Sequence, residues 1–541
     1  LRDRDGDDLW LGLAACVADT GAWPDTLTIR QNALLAAGAD AVVWDLVFPE
    51  VFPGGFSVVL GNPPWDVVLP NTKDFVADYD PAVLDAPSRS EQTTIEQAVL
   101  SRPGVAAAFD AYRAGFDRLK CIARRLYRHQ RARVGTDSTA GNLDLFRLFA
   151  ERNMDLAAVD GSIGVLMPSA FHANEGTTGI RRLYLQETDM RWCLSFENRR
   201  RIFDIDSRFK FDLIVAHRPG PTRSLHCGFY LNRIEDVDDP AKIMSYDMAF
   251  LNQAGGASLT PLELRGNADL AVAKTLFAQP ERLRAWCADR HIRFGCDLHM
   301  TADAGCFRPP GAESLILHEG KTFHQYTDKW DAKPRYSVAQ ASLTTSVAAA
   351  TEHYRLVFRD IARSNDERTM IACIAPPGAV FGHTATVEKS PGARTNSDAL
   401  LLCALFNSFA FDWLVRQKTA THLSLYILDA LPVPLFGEAA RAFLAHGALR
   451  LSCNHAGYAT LWRGQCGRSG GPATEHTDAR WRLRAAMDAV VATAYGLDRS
   501  QYEAVLASFS HRSRPDAARL CLSAIDVLQA EGVEAFCRSQ A

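Results

Sequence analysis

The first half of the chain alternates short apolar runs with amphipathic stretches, a pattern typical of strands joined by crossover helices. Predicted helices lie at 141–159 and 179–187, where apolar residues recur at helical spacing. The predicted strands are Phe56–Leu60, Ser162–Pro168, Trp192–Phe196, Phe211–Ala216 and His226–Leu231. This alternation predicts an α/β fold with a mostly parallel sheet.

The pattern changes near residue 250, where a stretch rich in Gly and Asn runs from Asn252 to Ser258. Beyond it, short apolar runs and an amphipathic helix at 398–416 predict a second α/β domain. These apolar runs lie at 314–317, 354–361 and 369–375. The remaining residues read mainly as helices. We therefore predict three regions, 1–250, 251–440 and a helical region at 441–541.

The predicted strand Phe56–Leu60 is notable for the residues that follow it. We expect it to be a buried parallel strand, because it is short and apolar. Asn62-Pro63-Pro64-Trp65 ends it, since each proline fixes its own φ, lacks a backbone donor and disfavours a helical predecessor. The turn therefore presents an amide, two carbonyls and an indole at the carboxyl end of a strand, where open α/β sheets bind ligands.

These groups suit chemistry on the exocyclic amine of an aromatic base. Such an amine is a poor nucleophile, because its lone pair is delocalised into the ring. The Asn62 side-chain oxygen and the Pro63 carbonyl would accept its two hydrogens and favour a pyramidal nitrogen with a localised lone pair. Trp65 would stack on the base, and no general base is needed before the attack. The alternative is a proline-rich turn that simply ends a core strand.

Composition narrows the function classes. The chain has 541 residues and a formal net charge of −4, so binding to nucleic acid requires positive charge concentrated on one face. The 13 cysteines form no CxxC pair, and the charged first residues do not resemble a secretory signal, which predicts a cytoplasmic protein with reduced thiols. No run approaches the roughly 18 apolar residues of a membrane helix, so no membrane partner is expected.

Two further segments have competing interpretations. Zinc-type ligands occur at Cys287, His291, Cys296, His299 and Cys306, but their spacing is loose and lacks a tight pair at either end. We therefore predict no metal site. A helix rich in Arg and Lys at 113–133 is amphipathic, and it is either a phosphate-facing surface or an ordinary solvated one.

Several segments, in order along the chain, resemble the large adenine-N6 DNA methyltransferases of type IIG-like restriction–modification and phage-exclusion systems. Gly55–Trp65 matches the catalytic strand and Asn-Pro-Pro-aromatic motif of that family. Other matching segments of the first half are Phe48–Phe52, Asn142–Phe146, Gly164–Pro168 and Phe196–Phe211. In the second half they are Leu298–Thr301, Glu319–Tyr326, Phe358–Arg363, Leu405–Phe409, Thr421–Leu423, Leu431–Pro434 and Met487–Leu497.

The resemblance implies transfer of a methyl group from S-adenosylmethionine to N6 of a flipped adenine in double-stranded DNA. It implies a Rossmann-like methyltransferase sheet, incomplete at the N-terminus, then an α/β target-recognition domain and a helical C-terminal region. The implied catalytic residues are Asn62, Pro63, Pro64 and Trp65. Trp65 and Phe203 would stack on the target base, with Phe196 as the alternative to Phe203. Implied DNA contacts, each otherwise an ordinary surface cation, are Arg199, Arg200, Arg208, Lys210, Lys321, Arg359 and Arg363.

The chain departs from the family at the methyl-donor site. A glycine-rich strand-to-helix turn should precede the catalytic strand, and no GxG occurs upstream of Gly54. We therefore expect this chain alone to bind S-adenosylmethionine weakly or not at all. A missing N-terminal segment, or separate nuclease or defence subunits, are expected partners. The alternatives are a catalytically inactive remnant or DNA-binding specificity subunit with the same fold, and amino-methylation of RNA or protein.

Overall fold

The computed structural model describes residues 42, 44–52, 54–134, 137–139, 142–311, 314–330, 332–363, 365–419, 422–467 and 477–540. Contacts between Cα atoms divide the chain into two units, Leu1–Pro261 and Leu262–Ala541. The three-part division at residues 250 and 440 stays a prediction.

The first unit contains a mixed sheet and its flanking helices. Its strands are β1 (Phe56–Gly61), β2 (Ala132–Val134), β3 (Asp137–Thr139), β4 (Ala157–Pro168), β5 (Asp189–Glu197), β6 (Lys210–His217), β7 (Ser224–Leu231) and β8 (Met244–Asp247). Its helices are α1 (Trp44–Val47), α2 (Thr72–Ala77), α3 (Arg89–Leu100), α4 (Val105–Leu126), α5 (Leu145–Leu156), α6 (Ala170–Ala173), α7 (Thr178–Glu187) and α8 (Met248–Gly255). One six-stranded sheet has the order β1–β4–β6–β5–β7–β8, and β2 pairs with β3 separately.

The large sheet mixes parallel and antiparallel pairs, although the sequence predicts a mostly parallel one. β1 with β4 and β5 with β7 are parallel, whereas β6 runs antiparallel to both of its neighbours. The connection from β5 to β6 explains the difference. The chain leaves the sheet at Glu197 and re-enters it at Lys210 beside the strand that it left, so its direction is reversed.

β1 differs from the buried strand that its sequence predicts. It is parallel to β4 as expected, with Leu60 opposite Gly164 and Gly61 opposite Val165, but it forms one edge of the described sheet. The Val58 and Leu60 side chains are 63% and 82% exposed. The prediction of burial is wrong, because a short apolar run does not reveal whether a strand is covered or has a neighbour on both sides.

The second unit combines small sheets with many helices. Its strands are β9 (Glu281–Arg282), β10 (Phe294–Gly295), β11 (Phe307–Arg308), β12 (Leu315–His318), β13 (Tyr336–Val338), β14 (Arg355–Arg359), β15 (Ala372–Ala375), β16 (Ala379–Phe381), β17 (Ala385–Glu388) and β18 (Pro432–Val433). Its helices are α9 (Asn267–Phe277), α10 (Leu283–Asp289), α11 (Thr345–Ala350), α12 (Asn396–Phe406), α13 (Phe409–Lys418), α14 (Leu425–Asp429), α15 (Glu438–Ser452), α16 (Ala459–Cys466), α17 (Thr477–Tyr495), α18 (Arg499–Ala507), α19 (Ala517–Glu531) and α20 (Val533–Gln540). Two four-stranded sheets have the orders β10–β17–β14–β15 and β11–β13–β12–β16. The predicted α/β class with a helical C-terminal region is confirmed.

One predicted helix of the second unit is divided by a capping residue. The pattern at 398–416 predicts a single helix, whereas the structure has α12 and α13, bent by 67° around Asn407-Ser408. Ser408 explains the break, because its hydroxyl accepts the Phe411 N–H as the N-cap of α13. No single helix among the described residues is long and apolar enough to cross a membrane, although this bent pair meets the length and composition criteria jointly.

Candidate functional site

The predicted catalytic residues, Asn62 to Trp65, leave the sheet at the carboxyl end of β1. Pro63 is buried, Trp65 is half-buried, and Asn62 and Pro64 are exposed. The Asn62 side chain makes no hydrogen bond to another described residue. Its amide is therefore available to a ligand at the strand end.

The chain beyond Trp65 is anchored to the start of α5 by backbone bonds. The Val68 N–H donates to the Leu143 carbonyl over 2.7 Å, and the Leu145 N–H donates to the Asp66 carbonyl over 2.9 Å. Val67 and Asp144 form an antiparallel bridge between these bonds. These backbone bonds therefore hold the segment after the proline pair in place. They could not be predicted from the pattern of side chains, because they join backbone groups.

The structure places the two predicted stacking residues on one hydrophobic cluster. Its buried centre consists of Leu194, Phe196, Phe211 and Leu231. Trp65 and Phe203 are both half-buried and both pack against this centre. The Trp65 indole N–H is buried without a hydrogen-bond partner among the described residues, so a polar ligand atom could satisfy it.

Phe203 is better placed than Phe196 to meet a ligand. Phe196 is 5% exposed and stacks on Phe211 with 5.3 Å between the ring centroids. Phe203 meets the same ring edge-on at 4.9 Å and keeps part of its surface exposed. The choice of Phe203 as the second stacking residue stays a prediction, and the geometry is compatible with it.

Asn198 fixes the position of Phe203, and sequence reasoning missed this role. Its fully buried side chain accepts the Phe203 N–H over 3.0 Å. Its amide nitrogen donates to the carbonyls of Phe203 and Ile205 over 3.0 and 3.1 Å. Arg201 adopts a left-handed conformation with φ 53° in the same turn. An Asn directly after a buried strand was the available signal, because its side chain can replace backbone partners in a turn.

The basic loop, defined as residues 198–210, carries four of the predicted DNA contacts, and three of them have carboxylate neighbours. Arg199 and Lys210 lie 2.7 and 3.6 Å from Glu197. Arg208 lies 2.6 Å from Asp206, and this hydrogen bond lowers the pKa of Asp206 to about 2. Arg200 is exposed. The loop is therefore solvent-facing, but carboxylates within it and just before it partly neutralise its positive charge.

The predicted DNA contacts of the second unit have different surroundings. Lys321 is exposed and lies 3.9 Å from Glu319. Arg363 is also exposed. Arg359 is turned inward: it donates to the Phe323 carbonyl, and burial lowers the pKa of its guanidinium. A nucleic-acid contact by Arg359 would have to use the part of the guanidinium that this bond leaves accessible.

One group of potential metal ligands is found among the described residues, and it lies in the core. His172 Nδ1 is 2.7 Å from Asp212 Oδ2, and Cys193 completes the group. All three side chains are fully buried, which fits a polar pair within the fold. The loosely spaced Cys and His residues at 287–306 do not converge into a group of this kind.

A cavity of about 630 Å³ adjoins the segment after Trp65. It is enclosed by residues 66–74 together with side chains of α3 and α4, including Gln92, Tyr112 and Phe116. Asn62 and Trp65 do not line it. A base bound by those two residues would therefore occupy different space.

Neither family models nor curated proteins match this chain. It is similar to the structure of the type IIL restriction–modification enzyme MmeI in complex with DNA, with 10% identity and a TM-score of 0.41 over 91% of this chain and 61% of that chain. A DrdV–DNA complex gives 9% identity and a TM-score of 0.31, over 90% and 58%. The ATP-dependent type ISP restriction–modification enzyme LlaBIII bound to DNA gives 9% and 0.36, over 82% and 32%. The chain spans less than two thirds of each, and the proposals below rest on its own residues.

Proposed function

We propose that this chain carries the target-base site and DNA-binding surfaces of an adenine-N6 DNA methyltransferase in a restriction–modification or phage-defence system. The observation that supports this most is the convergence at the end of β1. There an exposed Asn62 follows the strand, and Trp65 shares a hydrophobic cluster with Phe203. An amide acceptor three residues before one of two partly exposed aromatic rings suits a flat base with an exocyclic amine.

Each residue of the site has a definable task in this proposal. The Asn62 amide oxygen and the Pro63 carbonyl accept the two N6 hydrogens and localise the nitrogen lone pair. Pro64 keeps the turn extended. Trp65 and Phe203 hold the base after it leaves the duplex, with stacking worth about 1–3 kcal/mol per contact, against a flipping cost of a few kcal/mol. Asn198 is a positioning residue, because it acts through Phe203.

DNA contact is assigned to the exposed cations. In the first unit these are Arg199, Arg200 and Arg208, together with the half-buried Lys210, and in the second unit Lys321 and Arg363. Phosphate contacts of this kind fix register and orientation and carry no direct sequence information. Arg359 is kept as a weaker candidate, since it also bonds the Phe323 carbonyl.

S-adenosylmethionine would supply the methyl group, and the described strand-to-helix turn beside β1 lacks the glycines expected of a donor-binding turn. The strand beside β1 is β4, which ends at Pro168 and leads through Ser169 into the short helix α6. This connection contains no glycine, whereas close approach of backbone to a bound nucleoside relies on glycines. We assign the donor-binding groups to polypeptide outside the described residues.

The test uses the full natural gene in cells that lack adenine methylation, with long-read sequencing of their DNA. The native gene should produce modified adenines at a defined sequence, and Asn62→Ala should abolish them while the purified chain still binds duplex DNA. Asn252→Ala, an exposed asparagine in the same unit, is the matched control and should methylate normally. Modified adenines in the Asn62→Ala cells would remove Asn62 from the mechanism.

A second candidate function is that of a DNA-binding specificity subunit or inactive remnant, which the lack of a glycine-rich donor-binding turn among the described residues favours. It predicts that the native gene leaves no modified adenine although the purified chain binds duplex DNA. Micromolar binding of S-adenosylmethionine by this chain alone would rule out the second candidate, and it would also overturn the assignment of the donor-binding groups to polypeptide outside the described residues.

A further inference from the structure

The second unit contains a cavity of about 760 Å³ that is rich in positive charge. It is bounded by the segment 324–330, by residues near the start of α13, and by α15, α17 and α19. Its cationic lining residues are Lys329, Arg368, Arg450, Arg480, Arg484 and Arg514. Glu367 is the one carboxylate among the lining residues. We call this site the arginine cavity.

Some of these charges have acidic partners. Arg514 lies 2.7 Å from Asp478 and 2.5 Å from Asp516. Glu367 is engaged elsewhere, since its Oε1 accepts the N–H and hydroxyl of Ser513 over 2.8 and 2.7 Å. Asp478, Asp516 and Glu367 therefore already have partners within the protein.

Two arginines on one face of α17 bond neutral acceptors. Arg484 donates to the side-chain oxygen of Gln325, and Arg480 donates to the Leu451 carbonyl over 2.8 Å. Because Gln325 is neutral, it satisfies part of the hydrogen-bonding capacity of Arg484 without cancelling its charge. Burial, together with Arg368 and Arg480, lowers the pKa of Arg484 to about 10. The positive charges of Arg368, Arg480 and Arg484 therefore repel one another.

Arg368 adds a buried donor to the same site. It is 8% exposed, and its Nε lies 2.6 Å from Asp412. Its Nη1 is buried and has no partner among the described residues. An unsatisfied charged donor inside a protein is costly, so a bound acceptor would stabilise this arrangement.

Aromatic side chains line the same space. The Trp481 ring lies 4.1 Å from the Arg484 guanidinium carbon. Trp330 stacks on His324 with 4.2 Å between the centroids and remains 47% exposed. Planar guanidinium groups bind phosphate through paired hydrogen bonds, and exposed indoles offer stacking surfaces for a base. The cavity is large enough for a nucleotide, within the about 300–1,000 Å³ typical of ligand sites.

From this arrangement we propose that the arginine cavity binds a phosphate group attached to a base. The phosphate contacts Arg484, Arg480 and Arg368, and the base lies against Trp330 or Trp481. The phosphate comes from a free nucleotide or from a nucleic-acid strand. The site uses none of the residues assigned to methyl transfer, so it stands or falls independently of that function.

The test is calorimetric titration of the whole chain with inorganic phosphate, ADP, a short single strand and a short duplex. Arg484→Gln should weaken binding about tenfold to a hundredfold, the loss expected for one hydrogen bond to a charged group. Arg482→Gln is the matched control, since Arg482 lies on the same helix and is exposed and outside the cavity lining. Affinity should also fall as salt is raised.

The probes separate the sources of the phosphate. ADP binding that depends on Arg484 identifies a free-nucleotide site, and dependence seen with oligonucleotides alone identifies a nucleic-acid site. If Arg484→Gln does not fold, Arg480→Gln carries the same expectation. The proposal is overturned if none of the probes binds, or if binding is equal in the native chain and in the folded variant.

Discussion

The basic loop and the arginine cavity are both rich in arginine, but they differ in what surrounds the charge. In the basic loop, Arg199 and Arg208 lie 2.7 and 2.6 Å from carboxylates within or just before the loop. In the arginine cavity, Arg368 and Arg514 also pair with carboxylates, but Arg484 and Arg480 donate to neutral oxygens. The number of positive residues in a segment is therefore a poor measure of the positive potential that it presents to a ligand.

The two regions also differ in how strongly solvent screens their charges. The Arg208 side chain is 88% exposed, so water and salt screen it from its neighbours. The half-buried arginines of the cavity are screened less, and their mutual repulsion persists. An anion therefore gains more from the cavity than from a loop of equal formal charge. The loop is better suited to weak, salt-dependent contact with a long polyanion.

The largest expected effect is a loss of stability when the hydrogen bonds that order the basic loop are removed. Asn198→Ala should lower the free energy of unfolding by about 3–5 kcal/mol, because it leaves the buried partners of several hydrogen bonds unsatisfied. Those partners include the Phe203 N–H and the Ile205 carbonyl. Urea denaturation of the purified chain measures the change, with Asn252→Ala as the control.

The Asn198→Ala variant also distinguishes two explanations of how the basic loop is ordered. If Asn198→Ala unfolds at the same urea concentration as the native chain, the surface ion pairs order the loop, and the contrast with the cavity weakens. Loss of DNA methylation in a folded variant would further show that the position of Phe203 matters.

The sequence was informative where a local pattern decides the structure. The apolar runs located β4, β5, β6 and β7, and the proline pair located the end of β1. It failed where distant residues decide. The exposure of Leu60 depends on which strands lie beside β1, and the direction of β6 depends on where the chain re-enters the sheet. Neither is encoded in the residues of the strand itself.

The two candidate sites also differ in whether residues close in sequence form them. Asn62 and Trp65 are close in sequence and form a recognisable motif, so the sequence alone suggested a site there, which stays a prediction. The arginine cavity collects residues from position 324 to position 517, so no local density of charge reveals it. Asn198 could have been found only by asking which side chain satisfies the backbone of the turn.

An effect of intermediate size tests whether a buried carboxylate compensates the positive charge of the arginine cavity. Asp488 is 6% exposed, and burial raises its pKa from 3.8 to about 6, although Arg368 and Arg484 oppose this shift. The folded chain then holds this proton more tightly than the unfolded chain. Its stabilising contribution is complete below about pH 4 and is lost as the pH rises through 6.

Asp488→Asn should remove this dependence. Between about pH 3 and pH 8 the variant should gain about 3 kcal/mol of stability relative to the native chain, as the shift in pKa implies. Urea denaturation at a series of pH values measures the difference. A pH-independent difference would mean that Asp488 stays ionised below pH 6 as well and is a permanent counter-ion of Arg368 and Arg484, which would break the comparison.

The smallest effect is expected in the basic loop. Arg208→Gln should leave the melting temperature unchanged, because the side chain is exposed and its partner Asp206 stays hydrated. If Arg208 contacts a phosphate in a DNA complex, the slope of log affinity against log salt should fall by about one, with a similar loss for every duplex sequence. Arg191→Gln is the matched control, since Arg191 is an exposed arginine paired with Asp189 and outside the basic loop. An unchanged slope in Arg208→Gln would show that the ion pair with Asp206 persists in the complex, and that this part of the loop does not contact DNA.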